Sequence, residues 1–189
     1  MTLDEKYGRL RGILSRMGPV LVAFSGGTDS TFLARAAVEV LGSRVLAVTV
    51  VSSLMPEAEI KEAVLLAGKL QVRHRLVRRR LGKAVRNNAP DRCYRCKKGI
   101  FSALLQLARR LGFVCVVDGS NTDDLADYRP GTRALRELGI RSPLREAGLG
   151  KRDIRRLSRR MGLPTWDKPA LACLASRFPY GEGLTDRKL

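Results

Sequence analysis

The chain has 189 residues, 44% of them hydrophobic and 5% aromatic, with 36 Lys+Arg against 18 Asp+Glu for a net charge of +18. That length suits one domain, or one domain and a fragment, and can bury a substantial core. No apolar run is long enough to cross a bilayer and the mixed-charge, amphipathic N-terminus is not a secretory signal, so a soluble cytoplasmic protein without a membrane partner is expected.

Apolar periodicity, punctuated by Gly and Pro, predicts a helix over 3–17 and a buried strand over Val20–Phe24. A helix over Thr31–Leu41 closes at Gly42, and Val45–Val51 is a β-branched strand. Next come a helix over Pro56–Leu70, a weaker strand over Val72–Val77 and a helix over Cys96–Leu111. Phe113–Val117 reads as another buried strand, followed by helices over Arg133–Leu138 and Lys151–Met161. Strand–helix units with apolar strands imply an α/β fold: a doubly wound parallel sheet with helices on both faces. Residues 1–165 form that domain, and 166–189 is a Pro/Gly-rich, loop-like segment.

In such sheets ligands bind at the carboxyl ends of the strands. Two polar loops fall on that rim: Ser25-Gly26-Gly27-Thr28-Asp29-Ser30 after the first strand, and Asp118 to Asp124 after the fourth. Gly26 and Gly27 let backbone N–H groups approach an anion, Ser25, Thr28, Ser30 and Thr31 add hydroxyls, and the helix behind them turns its positive end to the loop. Asp29 would repel a bare phosphate, so it either holds a Mg²⁺ that bridges phosphates or fixes the loop. Asp118, Asp123 and Asp124 either hold Mg²⁺ and contact ribose or serve as ordinary caps. With no lysine after the glycines, this is not the Walker type of phosphate loop.

Cys115 lies in an apolar strand and reads as a small core residue. Cys93 and Cys96 form a C-x-x-C pair in polar sequence, and Cys173 lies far along the chain beside Ser176 and Arg177. A structural zinc would need a fourth ligand, Cys115 or His74, and His74 reads as a plain surface residue. Redox C-x-x-C chemistry leaves Cys173 idle, and a three-cysteine [4Fe–4S] cluster leaves one iron open. From spacing alone the three readings stand level, and a set of unconnected thiols ranks below them.

The loop SGGTDS resembles the PP-loop of ATP pyrophosphatases such as GMP and NAD synthetases and tRNA thiolation enzymes. With DRCYRCKKGIF, DGSNTDDLADYRPG, RSPLREAGLGKRDIR and ACLASRFPYGEGLT in this order, the stretch from Val20 to Thr185 resembles the LarE family of ATP-dependent sulfur transferases. The resemblance implies the adenine nucleotide alpha hydrolase-like fold. It also implies adenylation by ATP and Mg²⁺ of a carboxylate of pyridinium-3,5-biscarboxylic acid mononucleotide, then sulfur insertion with release of AMP. One branch of the family sacrifices a cysteine sulfur at the Cys173 position; the other holds a [4Fe–4S] cluster, whose open iron carries the sulfide, on Cys93, Cys96 and Cys173. This chain resembles the second. Arg177 and Ser176 are expected to contact a phosphate or the adenylate, and Arg129 to bind the mononucleotide phosphate. Family members continue into a further C-terminal domain that helps form oligomers. A chain ending at Leu189 is thus expected to be a fragment, or a homo-oligomer whose pocket another subunit completes.

Rival functions remain. A tRNA thiolase would share the loop and the cluster, and +18 suits RNA, although with few aromatics among the basic runs an arginine-rich solvated surface accounts for the charge better. An amide-forming ligase would adenylate but needs no cysteine set. A zinc-stabilised nucleotide-binding module would release no pyrophosphate.

Overall fold

The structure is a computed structural model that describes residues 1–125, 130–170 and 172–189. Four parallel strands form one sheet in the order β3-β2-β1-β4: β1 (Val20–Ala23), β2 (Val45–Val51), β3 (Arg73–Arg78) and β4 (Cys115–Val117). The helices are α1 (Leu3–Ser15), α2 (Thr28–Leu41), α3 (Glu57–Lys69), α4 (Lys83–Arg86), α5 (Arg92–Arg110), α6 (Pro130–Glu137), α7 (Pro143–Glu146) and α8 (Lys151–Arg160). From β1 the chain winds outward to β3, then crosses back to lay β4 on the other side of β1. The connections after β1 and β4 therefore diverge and leave a crevice at the carboxyl edge.

Alternation along the strands fills both faces. Val20 and Val22 turn toward Leu10, Phe32, Leu66, Leu144 and Ile154 of α1, α2, α3, α7 and α8. Leu21 joins Leu46, Val48 and Val116 against Phe101 and Leu104 of α5 and Leu135 of α6. A doubly wound sheet covered on both faces is thus what the strand–helix pattern required. β3 is an edge strand, and its exposed Arg73, Arg75 and Arg78 discourage pairing with another chain.

Two helix starts differ from expectation in ways that matter. α2 begins at Thr28 rather than Thr31, because Gly27 takes the extended cap conformation (φ −78°, ψ 165°) and its carbonyl accepts from the Thr31 amide at 3.0 Å. Thr28, Asp29 and Ser30 thus form the first turn. α5 begins at Arg92 rather than Cys96, because Asp91 occupies the cap position and its carbonyl takes the Arg95 amide. Cys93 and Cys96 therefore ride on a helix, not in irregular chain. The short helices α4 and α7 had no periodic signal.

The segment after residue 165 packs back onto the domain. Ala175 and Leu184 join Leu54 and Val85 in a small separate core, with Cys96 and Phe178 against it. Among the described residues no helix is long and apolar enough to cross a membrane.

Candidate functional site

The loop after β1 is held by its own hydroxyls. The Ser25 amide donates to Ser30 Oγ at 3.2 Å, Ser25 Oγ lies 3.0 Å from Ser30 Oγ, and Ser30 Oγ donates to the Gly27 carbonyl at 3.2 Å. Gly26 has φ +74°, and a Cβ there would sit 3.2 Å from Ala63 of α3. Its glycine is therefore required twice, by conformation and by packing. At the other side of the crevice a Cβ on Gly119 would meet the Ser30 nitrogen at 3.1 Å. Gly119 thus lets the β4 loop lie against the first turn of α2, whose amides lack intrahelical partners.

Asp29 stands at this junction. Its Oδ2 accepts from Lys151 Nζ at 2.8 Å, while Oδ1 is buried with no hydrogen-bond partner among the described residues. Burial pushes its pKa above the ordinary carboxylate value, and Lys151 opposes the shift. A carboxylate with one orphaned oxygen beside helix amides fits a hard cation. Thr28 does different work: its hydroxyl donates to the Thr165 carbonyl at 2.8 Å, tying the loop to the chain beyond α8. Thr31 Oγ1 is buried inside the fold.

The rim carboxylates separate by role. Asp118 is buried and accepts from Ser142 Oγ at 2.6 Å and from Ser120 Oγ. Asp123 accepts the Lys151 amide at 2.8 Å, which makes it a cap of α8. A Cβ on Gly150 would lie 2.8 Å from the Asp123 carboxylate, so Gly150 makes that cap accessible. Asp124 accepts the Asn121 amide at 2.9 Å and lines the crevice. Arg129 lies outside the described residues.

The crevice has a volume of about 510 Å³, large enough for a nucleotide. Ser25, Gly27 and Asp29 form one wall, Lys97 and Phe101 of α5 another, with Asp118 at the rim. Thr49 at its floor donates to the Phe24 carbonyl at 2.8 Å, so the second contact of its hydroxyl, His74 Nε2 at 2.8 Å, must come from a protonated Nε2. His74 also meets Phe24 edge-on, and burial lowers its pKa from 6.5. It is a half-buried brace under the loop, not the plain surface residue expected.

A cavity of about 210 Å³ shares Val50 and Ile100 with the crevice and carries Cys96, Arg79 and Arg95 on its walls. The segment that carries Cys173 is held by distant contacts. Buried Arg92 donates to the Ala175 carbonyl at 2.9 Å and to Asn88 Oδ1, and Asn88 Nδ2 donates to the Pro179 carbonyl at 2.8 Å. The Leu174 and Leu184 amides bond to Leu54 and Arg86. Burial, then Cys173, then Cys93 push the Cys96 thiol up to about 11, while Arg79 and Arg92 pull the other way. Cys93 and Cys173 thus both act on the Cys96 thiol, opposed by two guanidinium groups. Among the described residues no three His, Cys, Asp or Glu side chains, the cysteines included, are arranged to hold a metal ion. Cys115 is a partly buried sheet residue packed on the core, as expected.

Ser176 closes the turn after Cys173 by donating to its carbonyl at 2.7 Å, and Arg177 is exposed in the same turn. Trp166 is 36% exposed and stacks under Arg159 at 5.0 Å, on α8 rather than on the crevice wall. Lys97, expected beside the cysteines, stands on the crevice wall instead. Sequence reasoning missed Lys151 and Lys168, each a lysine in a basic chain that only its place at a helix start or before a proline set apart.

Comparison with known proteins agrees with this layout. A family model described as NAD synthase matches residues 13–90. Protein slr1717 of Synechocystis is 45% identical over 190 residues, covering 99% of this chain and 70% of that protein. The pyridinium-3,5-bisthiocarboxylic acid mononucleotide synthase of Lactiplantibacillus plantarum is 40% identical over 187 residues, covering 97% of this chain and 68% of that enzyme. The solved structure of NMN synthetase from Francisella tularensis superposes with a TM-score of 0.68 at 18% identity, over 90% of this chain and 76% of that one, a likeness of fold.

Proposed function

The chain belongs to the family of pyridinium-3,5-bisthiocarboxylic acid mononucleotide synthases, the LarE family, and on that premise we infer that it is an ATP-dependent sulfur transferase acting on a pyridinium carboxylate mononucleotide. One observation carries the reading: the phosphate loop opens on a crevice whose neighbouring cavity is lined by Cys96, the thiol on which both Cys93 and Cys173 act.

The chemistry proceeds in two displacements. A substrate carboxylate oxygen attacks the α-phosphorus of ATP, the α–β bridging bond breaks, and pyrophosphate departs with its electron pair. The acyl adenylate then meets sulfide at its carbonyl carbon. A carbon–sulfur bond forms, the carbon–oxygen bond breaks, and AMP leaves a thiocarboxylate. A carboxylate is a poor electrophile until its oxygen belongs to such a leaving group. The helix amides of Thr28, Asp29 and Ser30 stabilise charge on the departing phosphates, and Asp29 is the ligand for Mg²⁺, which would neutralise them further. Phe101 and the sheet ends offer the base an apolar wall.

Cys93, Cys96 and Cys173 are the proposed holders of a [4Fe–4S] cluster; bound there, it would supply an iron without a protein ligand at which sulfide is held. The donor types suit such a cluster: Cys93 and Cys173 both act on the Cys96 thiol, which burial pushes up and Arg79 and Arg92 pull back toward thiolate. Arg177, exposed beside Cys173, is free to meet an anionic substrate.

The test is anaerobic incubation with ATP, sulfide and pyridinium-3,5-biscarboxylic acid mononucleotide, or with unmodified tRNA instead. Pyrophosphate release with the mononucleotide, and a product 16 mass units heavier from oxygen-to-sulfur exchange (about 32 − 16), is expected. Turnover with tRNA alone would overturn the reading.

A further inference from the structure

Beyond the nucleotide crevice and the thiol cavity, the carboxyl edge of the sheet carries a further cavity of about 510 Å³. Val51, Ser52 and Ser53, where β2 runs out, form one side of it; Arg78, Arg79 and Arg80, where β3 runs out, form the other. Ser52, Arg79 and Arg80 also line the cavity of Cys96, which in turn shares Val50 and Ile100 with the crevice. Nucleotide crevice, thiol cavity and arginine cavity thus adjoin in that order, along the edge where parallel sheets bind their ligands.

The three arginines are exposed, and among the described residues none of them forms an ion pair. Nearby Arg86 does: it meets Asp186 at 2.8 Å, and Asp186 also accepts from Ser53 Oγ at 2.7 Å. Arg80 acts on that carboxylate without bonding to it. Arg79 has a prepared seat. A Cβ on Gly99 of α5 would stand 2.7 Å from one of its terminal nitrogens and 3.1 Å from its Cζ. The guanidinium therefore lies on the bare backbone of Gly99, one turn beyond Cys96, and forms part of the wall between the thiol and arginine cavities. A glycine inside a helix costs stability, and here it makes room for a cation. Three successive guanidinium groups repel one another, and a doubly charged phosphate that accepts in bidentate geometry relieves the repulsion.

We propose that Arg78, Arg79 and Arg80 bind the phosphate monoester of the mononucleotide substrate, so that its pyridinium ring lies against the thiol cavity and a ring carboxylate reaches the crevice. The proposal rests on the substrate reading above. In a pyridinium carboxylate mononucleotide the phosphate and the ring carboxylates stand at opposite ends, and the order of the cavities matches that layout. Leu81, Val85 and Ile100 give the ring an apolar surface midway. Anchored there, the substrate phosphate leaves the amides of the phosphate loop to ATP, and the carboxylate to be activated already lies beside Cys96.

The test is calorimetric titration of the full chain with pyridinium-3,5-biscarboxylic acid mononucleotide and with the nucleoside that lacks its phosphate. Wild type should bind the mononucleotide more tightly than the nucleoside, and inorganic phosphate should compete with the first and not the second. Arg78→Met and Arg80→Met should each weaken the mononucleotide about tenfold or more, the size of one charge-assisted hydrogen bond. Both should leave the nucleoside and ATP unchanged. Gly99→Ala, which displaces the Arg79 guanidinium, should also weaken the mononucleotide while melting no lower than wild type, because alanine favours the helix. Solvated edge charges with no ligand predict no change in the ratio of the two affinities in any variant, which would overturn the proposal. Collapse of that ratio in Arg129→Met instead, or loss of tRNA binding in the arginine variants with the mononucleotide unaffected, would overturn it too. Failure of wild type to bind the mononucleotide while it binds ATP would overturn the substrate reading on which the proposal rests.

Discussion

The phosphate loop and the cysteine corner share one sheet edge but reach their conformations by different routes. Residues 24–31 are shaped by neighbours: two serines five positions apart, a glycine at positive φ and a helix start. The corner is assembled by Arg92 and Asn88, whose partners lie 83 and 91 positions away. A short-range motif forms with the strand and helix that flank it, whereas the corner exists only once the chain has closed on itself. On the proposed reading the first activates a carboxylate and the second brings sulfur chemistry to its border. Each can therefore be damaged while the other survives.

The largest expected effect comes from the loop. Asp29→Ala should lower pyrophosphate release by roughly a hundredfold or more, leaving the reaction of the cysteines with a thiol reagent unchanged in the same preparation. Equal loss of both would show that the regions are not separable. At the corner, Arg92→Met strands the Ala175 carbonyl and the buried Asn88 side chain. Thermal unfolding should register a loss of about 2–4 kcal/mol. Nucleotide affinity should hold within a few-fold.

Gly26→Ala should cost about 1–2 kcal/mol for the left-handed backbone, with an added penalty against Ala63. Because Ala63 belongs to α3, the strain should also displace the loop and weaken ATP binding. An ATP affinity equal to wild type would show that loop shape tolerates α3. The smallest effect is a pH slope. His74 is lowered from 6.5 by burial, so between its folded pKa and 6.5 the unfolded chain binds the extra proton. Stability should fall as pH drops below about 6.5; the slope should vanish in His74→Gln. The carboxylates held low by arginine partners, such as Glu146 and Asp186, lose their contribution only at more acid pH and do not obscure that window.

Legibility in the sequence follows the same division. The strands, their parallel winding and the anion loop could be read because β-branched runs, glycines and helical periodicity are local signals. The start of α2 was placed three residues late, since a glycine cap carries no side chain to announce it. The start of α5 is equally hard to read, because Cys93 and Cys96 stand in polar sequence and Asp91 caps the helix without a side-chain hydrogen bond. Cys173 could be paired with Cys93 and Cys96 only by family resemblance; nothing near it in sequence states that Arg92 will seize the Ala175 carbonyl. Lys151 and Lys168 were invisible among 36 basic residues. Their distinction is a carboxylate partner supplied from α2 and α3.

The most direct test of two separable regions on one substrate is a single-turnover experiment on Cys173→Ala, following pyrophosphate and thiocarboxylate together with the mononucleotide and ATP. The account predicts a pyrophosphate burst close to that of wild type, with no thiocarboxylate formed. Loss of the burst, or thiocarboxylate at the wild-type level, would contradict it.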